Sequence, residues 1–190
     1  ERIARRVGIV RGSRGRPAVA MRSAVFVVPG SIDTLTGGSI YDRRVVEGLR
    51  RRGWAVTVLE LDASFPRPTP GALAHASTVL AAIDAGEVVI VDGLAFGAMP
   101  DILEREAARL RLVALVHLPL AEDVGLDAAE AARLEASERR ALAAAARVVV
   151  TGAATLSMLE GYGLPRDRML VVEPGTDRAL ATLWEVSERE

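Results

Sequence analysis

Three segments carry residue types that could do chemistry, and each follows a short apolar run. The first is Pro29-Gly30-Ser31-Ile32-Asp33-Thr34-Leu35-Thr36-Gly37-Gly38-Ser39, which leads into an amphipathic stretch. Paired glycines at a helix N-terminus let the backbone approach a ligand closely, and the exposed amides there favour an anion such as phosphate. A turn needed only for chain geometry is the other reading of the same residues. The segment is neither G-x-G-x-x-G nor a Walker loop, so it does not indicate a dinucleotide or nucleoside-triphosphate site. The second segment places Asp92 and Gly93 directly after Val91. A carboxylate there can accept hydrogen bonds from sugar hydroxyls, or it can cap local backbone amides, which is the preferred reading of the residue alone. The third places His117 directly after the run Leu112 to Val116. A histidine so placed is either a packing residue or a ligand-facing one. In the second case His117→Ala should cost activity and leave stability nearly unchanged.

Composition removes other chemistries. The chain has 190 residues, half of them apolar, with two histidines, no cysteine and a net charge of −1. Disulfides, zinc knuckles, iron–sulfur ligation and a thiol nucleophile are excluded together. His75 and His117 are far apart in sequence and nothing near either has metal-site spacing, so no protein-bound metal is expected. His75 falls in an expected helix and reads as a surface or packing residue. The balanced charge gives no field favouring nucleic acid or an anionic membrane. No apolar run approaches the roughly 20 residues of a membrane span, and the cytoplasm is the expected compartment. All 24 basic residues are arginine; Arg43, Arg44, Arg50, Arg51 and Arg52 cluster on the first expected helix, largely as a solvated face.

These candidate residues need elements to hold them, and the hydrophobic pattern supplies them. From residue 23 onward, short β-branched runs alternate with amphipathic stretches, which predicts a mainly parallel α/β sheet with helices on both faces. The expected strands are Ala24 to Val28, Ala55 to Leu59, Val88 to Val91, Leu112 to Val116, Arg147 to Val150 and Leu170 to Val172; none alternates with polar residues, as strands covered on both faces require. The first helix should start near Ser39, with Asp42 completing an approximate capping box, and end at Gly53. Further helices are expected over Ala72 to Ile83, Pro100 to Arg109, Ala128 to Ala145 behind an Asp127 cap, and Ala154 to Glu160. Residues 1–22 carry seven arginines among Gly12, Gly15 and Pro17. They read as a basic extension, either a solvated arm or an anion-binding one, with Val7 to Val10 the only stretch there that could form a strand. Met21 stands at its end, which raises the possibility that the extension lies outside the native reading frame. Residues 23–177 form one Rossmann-like domain, and 178–190 read as a short helical tail.

Taken in order, these segments resemble the N-terminal domain of retaining family 4 glycosyltransferases over most of residues 22–177. Thr36-Gly37-Gly38-Ser39-Ile40-Tyr41-Asp42-Arg43-Arg44 and Leu49-Arg50-Arg51-Arg52-Gly53-Trp54-Ala55-Val56 look like the family's glycine loop, first helix and second strand. Val113 to Leu120 is similar to its histidine-bearing segment. Ala146 to Thr151, Tyr162 to Arg168 and Val171-Val172-Glu173-Pro174-Gly175-Thr176-Asp177 look like the stretch that closes the domain. The resemblance implies one half of a GT-B fold and a hexosyltransferase-type transfer of sugar from a nucleotide-diphosphate donor to a hydroxyl acceptor, with retention and no obligatory metal or cofactor. It implies that Gly37 and Gly38 face the donor diphosphate, that His117 lies near the reacting sugar without acting as general base, and that Asp33, Tyr41, Arg44 and Asp92 line the acceptor side. It also implies a second, C-terminal Rossmann-like domain, in cis or in trans, without which the chain holds half an active site and turns over little. A stand-alone binding or regulatory domain of the same fold is the alternative, and a two-domain sugar-nucleotide epimerase a third.

Overall fold

A computed structural model describes residues 22–175. The expectations for residues 1–21, including Val7 to Val10, and for the tail 178–190 lie outside the described residues. The six runs form six strands: β1 (Ser23–Pro29), β2 (Ala55–Leu61), β3 (Val88–Asp92), β4 (Arg111–Val116), β5 (Arg147–Val150) and β6 (Met169–Val171). They make one sheet in the order β2-β1-β3-β4-β5-β6, with every neighbouring pair parallel. The architecture is α/β and Rossmann-like.

Strand order decides where the helices lie. The chain steps from β1 to β2 in one direction and from β2 through β6 in the other, and right-handed crossovers put helices from opposite steps on opposite faces. Helix α1 (Gly37–Arg51) accordingly covers one face, where Phe26, Val28, Val56 and Leu115 pack with Val46. Helices α2 (Pro70–Ala81), α3 (Gly93–Phe96), α4 (Pro100–Glu106), α5 (Ala128–Ala143) and α6 (Ala153–Met158) contribute to the larger core on the other face. Alternate residues of a strand point to opposite faces, so Val27 and Val91 belong to the larger core while Phe26 and Val28 belong to the smaller. Helices therefore lie on both faces, but unevenly.

Several helix boundaries differ from expectation, each for a local reason. Helix α1 begins at Gly37, because Thr36 is extended and its Oγ1 accepts from the Ser39 amide at 3.2 Å. Asp42 is therefore no capping residue; it lies in the second turn, four residues after Gly38 and on the same side of the helix. Helix α2 starts at Pro70, behind a Thr69 cap, and ends at Ala81. Helix α4 stops at Glu106, and α3, a single turn, was not expected at all. Asp127 caps α5 as the sequence suggests, accepting from the Glu130 amide at 2.8 Å.

Candidate functional site

Strand order reverses between β1 and β3, and in open parallel sheets ligands bind outside the carboxyl ends of the strands at such a point. Past these ends the chain diverges, into the loop 30–36 from β1 and into α3 from β3. Between them opens a cleft of about 460 Å³, with Gly38, Asp42, Asp92 and His117 on its lining. Volumes of this order suit small-molecule sites. Residues from α1, β3 and the end of β4 thus meet at one place.

Each side chain is held by its own element. Asp42 is 2% exposed and Asp92 3%. Asp92 caps α3: its Oδ1 accepts from the Leu94 amide at 2.9 Å, so the capping reading of this residue holds. Its other oxygen, Oδ2, lies 3.4 Å from His117 Nε2, and Asp42 Oδ1 lies 3.1 Å from the same nitrogen. The main chain of His117 is anchored as well, its carbonyl accepting from Thr151 Oγ1 at 3.3 Å and Thr155 Oγ1 at 3.1 Å. The Tyr41 ring meets the imidazole edge-on, with centroids 5.3 Å apart. The loop 30–36 is fixed by Glu60, which accepts from the Ile32 amide at 2.9 Å and from Ser31 Oγ at 3.1 Å.

Two carboxylates aimed at one nitrogen settle the protonation state. Burial alone would lower the basicity of His117, but hydrogen bonds and charge from Asp42 and Asp92 outweigh it and raise the pKa to about 9. Burial pushes Asp42 up to about 6, against the hydrogen bond from His117. At neutral pH the group is an imidazolium between two carboxylates, with the proton on Nε2 between them. Nδ1 carries no hydrogen bond among the described residues and is left as a donor for a ligand. The same three ligand atoms lie within 4.8 Å of one another, a donor set able to hold a divalent cation. Positions 42, 92 and 117 have no motif spacing in the sequence and are brought together only by the fold.

The glycines occupy distinct places. Gly38 lies against the histidine, where an added Cβ would sit 3.4 Å from His117 Cδ2. A Cβ on Gly37 would meet nothing within 4 Å. The Ser39 amide is taken by Thr36 Oγ1 and the Ile40 amide by the Thr36 carbonyl. The amides of Gly37 and Gly38 have no acceptor among the described residues, and they stand at the positive end of a helix of 15 residues. Such a pair suits an anion.

Four other expected site residues do not line the cleft, and one of them, Gly37, lines instead a groove over the outer side of α1. Asp33 is exposed and pairs with Arg43 at 3.8 Å. Arg44 lies 3.7 Å from Glu47 and faces, with Tyr41, the same outer groove, which also contains Val172 and Pro174. Tyr41 donates its hydroxyl to the Val172 carbonyl at 2.7 Å, tying α1 to the residues after β6. Comparison of the chain with protein-family models and with curated proteins gave no match. Among the described residues no helix is long and apolar enough to cross a membrane.

Gly93 shows how tightly Asp92 is placed. A Cβ there would lie 3.0 Å from the Leu115 carbonyl oxygen and 3.2 Å from Val116 Cα, and strand backbone cannot move aside. Gly93→Ala should destabilise by about 1–3 kcal/mol through overpacking, displacing α3 and with it Asp92. Gly37→Ala, in open space at the first helical position, should leave stability unchanged or raise it by up to about 1 kcal/mol. Chemical denaturation of both variants checks the pair; equal effects would show that α3 is not pressed against β4.

Proposed function

We propose that this chain is the acceptor-side half of a retaining, hexosyltransferase-type glycosyltransferase. The observation that carries the reading is the His117 imidazolium against Gly38 at the point where strand order reverses, with its Nδ1 and the Gly37 and Gly38 amides at the start of α1 unpartnered among the described residues. A nucleotide-diphosphate sugar places a diphosphate and a sugar ring next to each other, and this site offers helix-end amides next to a cationic donor. The resemblance of the glycine loop, the histidine segment and the closing stretch to family 4 enzymes supports the same reading.

In the reaction the bond between the donor's anomeric carbon and the leaving phosphate oxygen breaks, and the acceptor oxygen bonds that carbon on the same face. The acceptor's proton passes to the leaving phosphate. The Gly37 and Gly38 amides stabilise charge that grows on the diphosphate, a contribution that is large when donors are fixed in advance. His117 donates through Nδ1 to an oxygen of the reacting sugar. It cannot serve as general base at neutral pH, because Asp42 and Asp92 keep it protonated. The remaining donor contacts belong to a second Rossmann-like domain, in cis or in trans, and the chain alone binds nucleotide weakly.

The test joins the chain to a donor-binding Rossmann-like domain and screens nucleotide sugars for transfer to hydroxyl acceptors. Transfer with retained configuration is the expected result. No transfer, with ligand binding intact, would favour a non-catalytic binding domain instead. Gly37→Val gives the sharper measurement, since it adds bulk at the start of α1 where a Cβ meets nothing within 4 Å, His117 included. Donor affinity should fall at least tenfold, about 1.4 kcal/mol, while acceptor affinity and melting temperature stay unchanged. An unaltered donor affinity would remove the diphosphate from the start of α1.

A further inference from the structure

The lining of the cleft combines charged, hydroxyl and apolar groups. Its charged groups, among the described residues, are Asp42, Asp92 and His117, two carboxylates against one imidazolium. The nearby cation Arg43 is engaged outside the cleft by Asp33. Hydroxyls of Ser31, Thr34, Thr36 and Ser39 line the same space. Ile32, Phe65, Leu94 and Leu118 supply apolar wall, and Leu94 and Leu118 remain more than two-fifths exposed, at 43% and 44%. Buried carboxylates and hydroxyls accept hydrogen bonds from O–H and N–H donors, and apolar side chains pack against the C–H face of a saturated ring. An anionic group here meets uncompensated negative charge in a partly desolvated site, where like charges repel far more than in water. The two helix-end amides do not relieve this, because the donor diphosphate occupies them.

We propose that this cleft takes a neutral or amine-bearing polyol with one apolar face as acceptor and turns away phosphorylated ones. The proposal rests on the glycosyl-transfer reading and adds the acceptor's class to it. The chain itself serves for the test, because the cleft lies wholly within the described residues. With inorganic diphosphate present throughout to fill the helix-end amides as the donor would, glucosamine, glucose and glucose 6-phosphate are titrated separately at pH 7 and followed by NMR at His117, Gly38 and Leu94. Glucosamine and glucose should shift these signals, and glucose 6-phosphate should bind at least tenfold more weakly than glucosamine. Asp92→Asn removes one charge and retains the carbonyl oxygen that caps the Leu94 amide, so α3 keeps its place. In that variant the preference for glucosamine over glucose 6-phosphate should narrow at least threefold. Binding of glucose 6-phosphate at the same residues as tightly as glucosamine, or a preference unmoved by Asp92→Asn, overturns the acceptor class and leaves glycosyl transfer standing. Failure of all three sugars to shift any cleft signal overturns both.

Discussion

His117→Ala is expected to cost about 3–5 kcal/mol of stability at pH 7, the range for removing one partner of a buried ion pair. Asp42 and Asp92 would remain, 2% and 3% exposed, with no counter-charge beside them. The wild-type protein should also show a pH dependence that the variant lacks. The folded pKa of His117 is about 9, raised from 6.5. Its contribution is therefore complete below 6.5, where folded and unfolded states both hold the proton, and is lost as pH rises toward 9. Linkage puts it on the order of 3 kcal/mol. Burial raises Asp42 from 3.8 to about 6 and Glu138 from 4.5 to about 7. Both cost stability as pH rises through those lower windows, and Glu138 does so in wild type and variant alike. The difference between the two proteins between pH 6.5 and 9 reports the histidine together with Asp42, whose carboxyl rises further once the His117 hydrogen bond and charge are gone. Urea denaturation at pH 6, 7.5 and 9 measures it; curves that run parallel would show that the carboxylates do not hold the imidazole.

This expectation departs from the sequence-based one that His117 could be removed at little cost to stability, and the difference shows what pattern alone conveys. The strands were legible because β3 and β4 are continuous apolar runs buried on both faces, a signature that needs no partner to be recognised. Crossover handedness then leads from strand order to the side each helix covers. Position after a strand was enough to single out Asp92 and His117, since the carboxyl edge of a parallel sheet is where its loops converge. Asp42 was missed as a site residue because Ser39 offered a capping box that matched local rules. Thr36 won the cap, the helix began two residues earlier, and Asp42 turned inward. The helical offset of four between Gly38 and Asp42 was the available signal. Asp33, Tyr41 and Arg44 sat in the right loop and helix, but which way each points depends on neighbours distant in sequence: Arg43 holds Asp33 outside, and Val172 holds Tyr41. Helix α3 is a single turn with no periodicity to detect.

The state of His117 also sets the expected catalytic defect. In the two-domain enzyme proposed above, His117→Gln should lower turnover per folded molecule at least tenfold, a barrier increase of about 1.4 kcal/mol. Glutamine can still donate a hydrogen bond, but it carries no positive charge to meet the charge developing between sugar and leaving group. The loss should fall on kcat, with the KM for the acceptor changed much less, because the charge matters most in the transition state. A second signature separates this role from packing. In the wild type, turnover should hold through neutral pH and decline as pH rises past about 9, where Asp42 and Asp92 no longer keep the imidazole protonated. The glutamine variant should lack that alkaline limb. Turnover must be normalised to the folded fraction, since the substitution also leaves two buried carboxylates without a cation. A variant that is less stable yet turns over normally once so corrected, with the alkaline limb intact, would confine His117 to holding α1 and α3 against the end of β4.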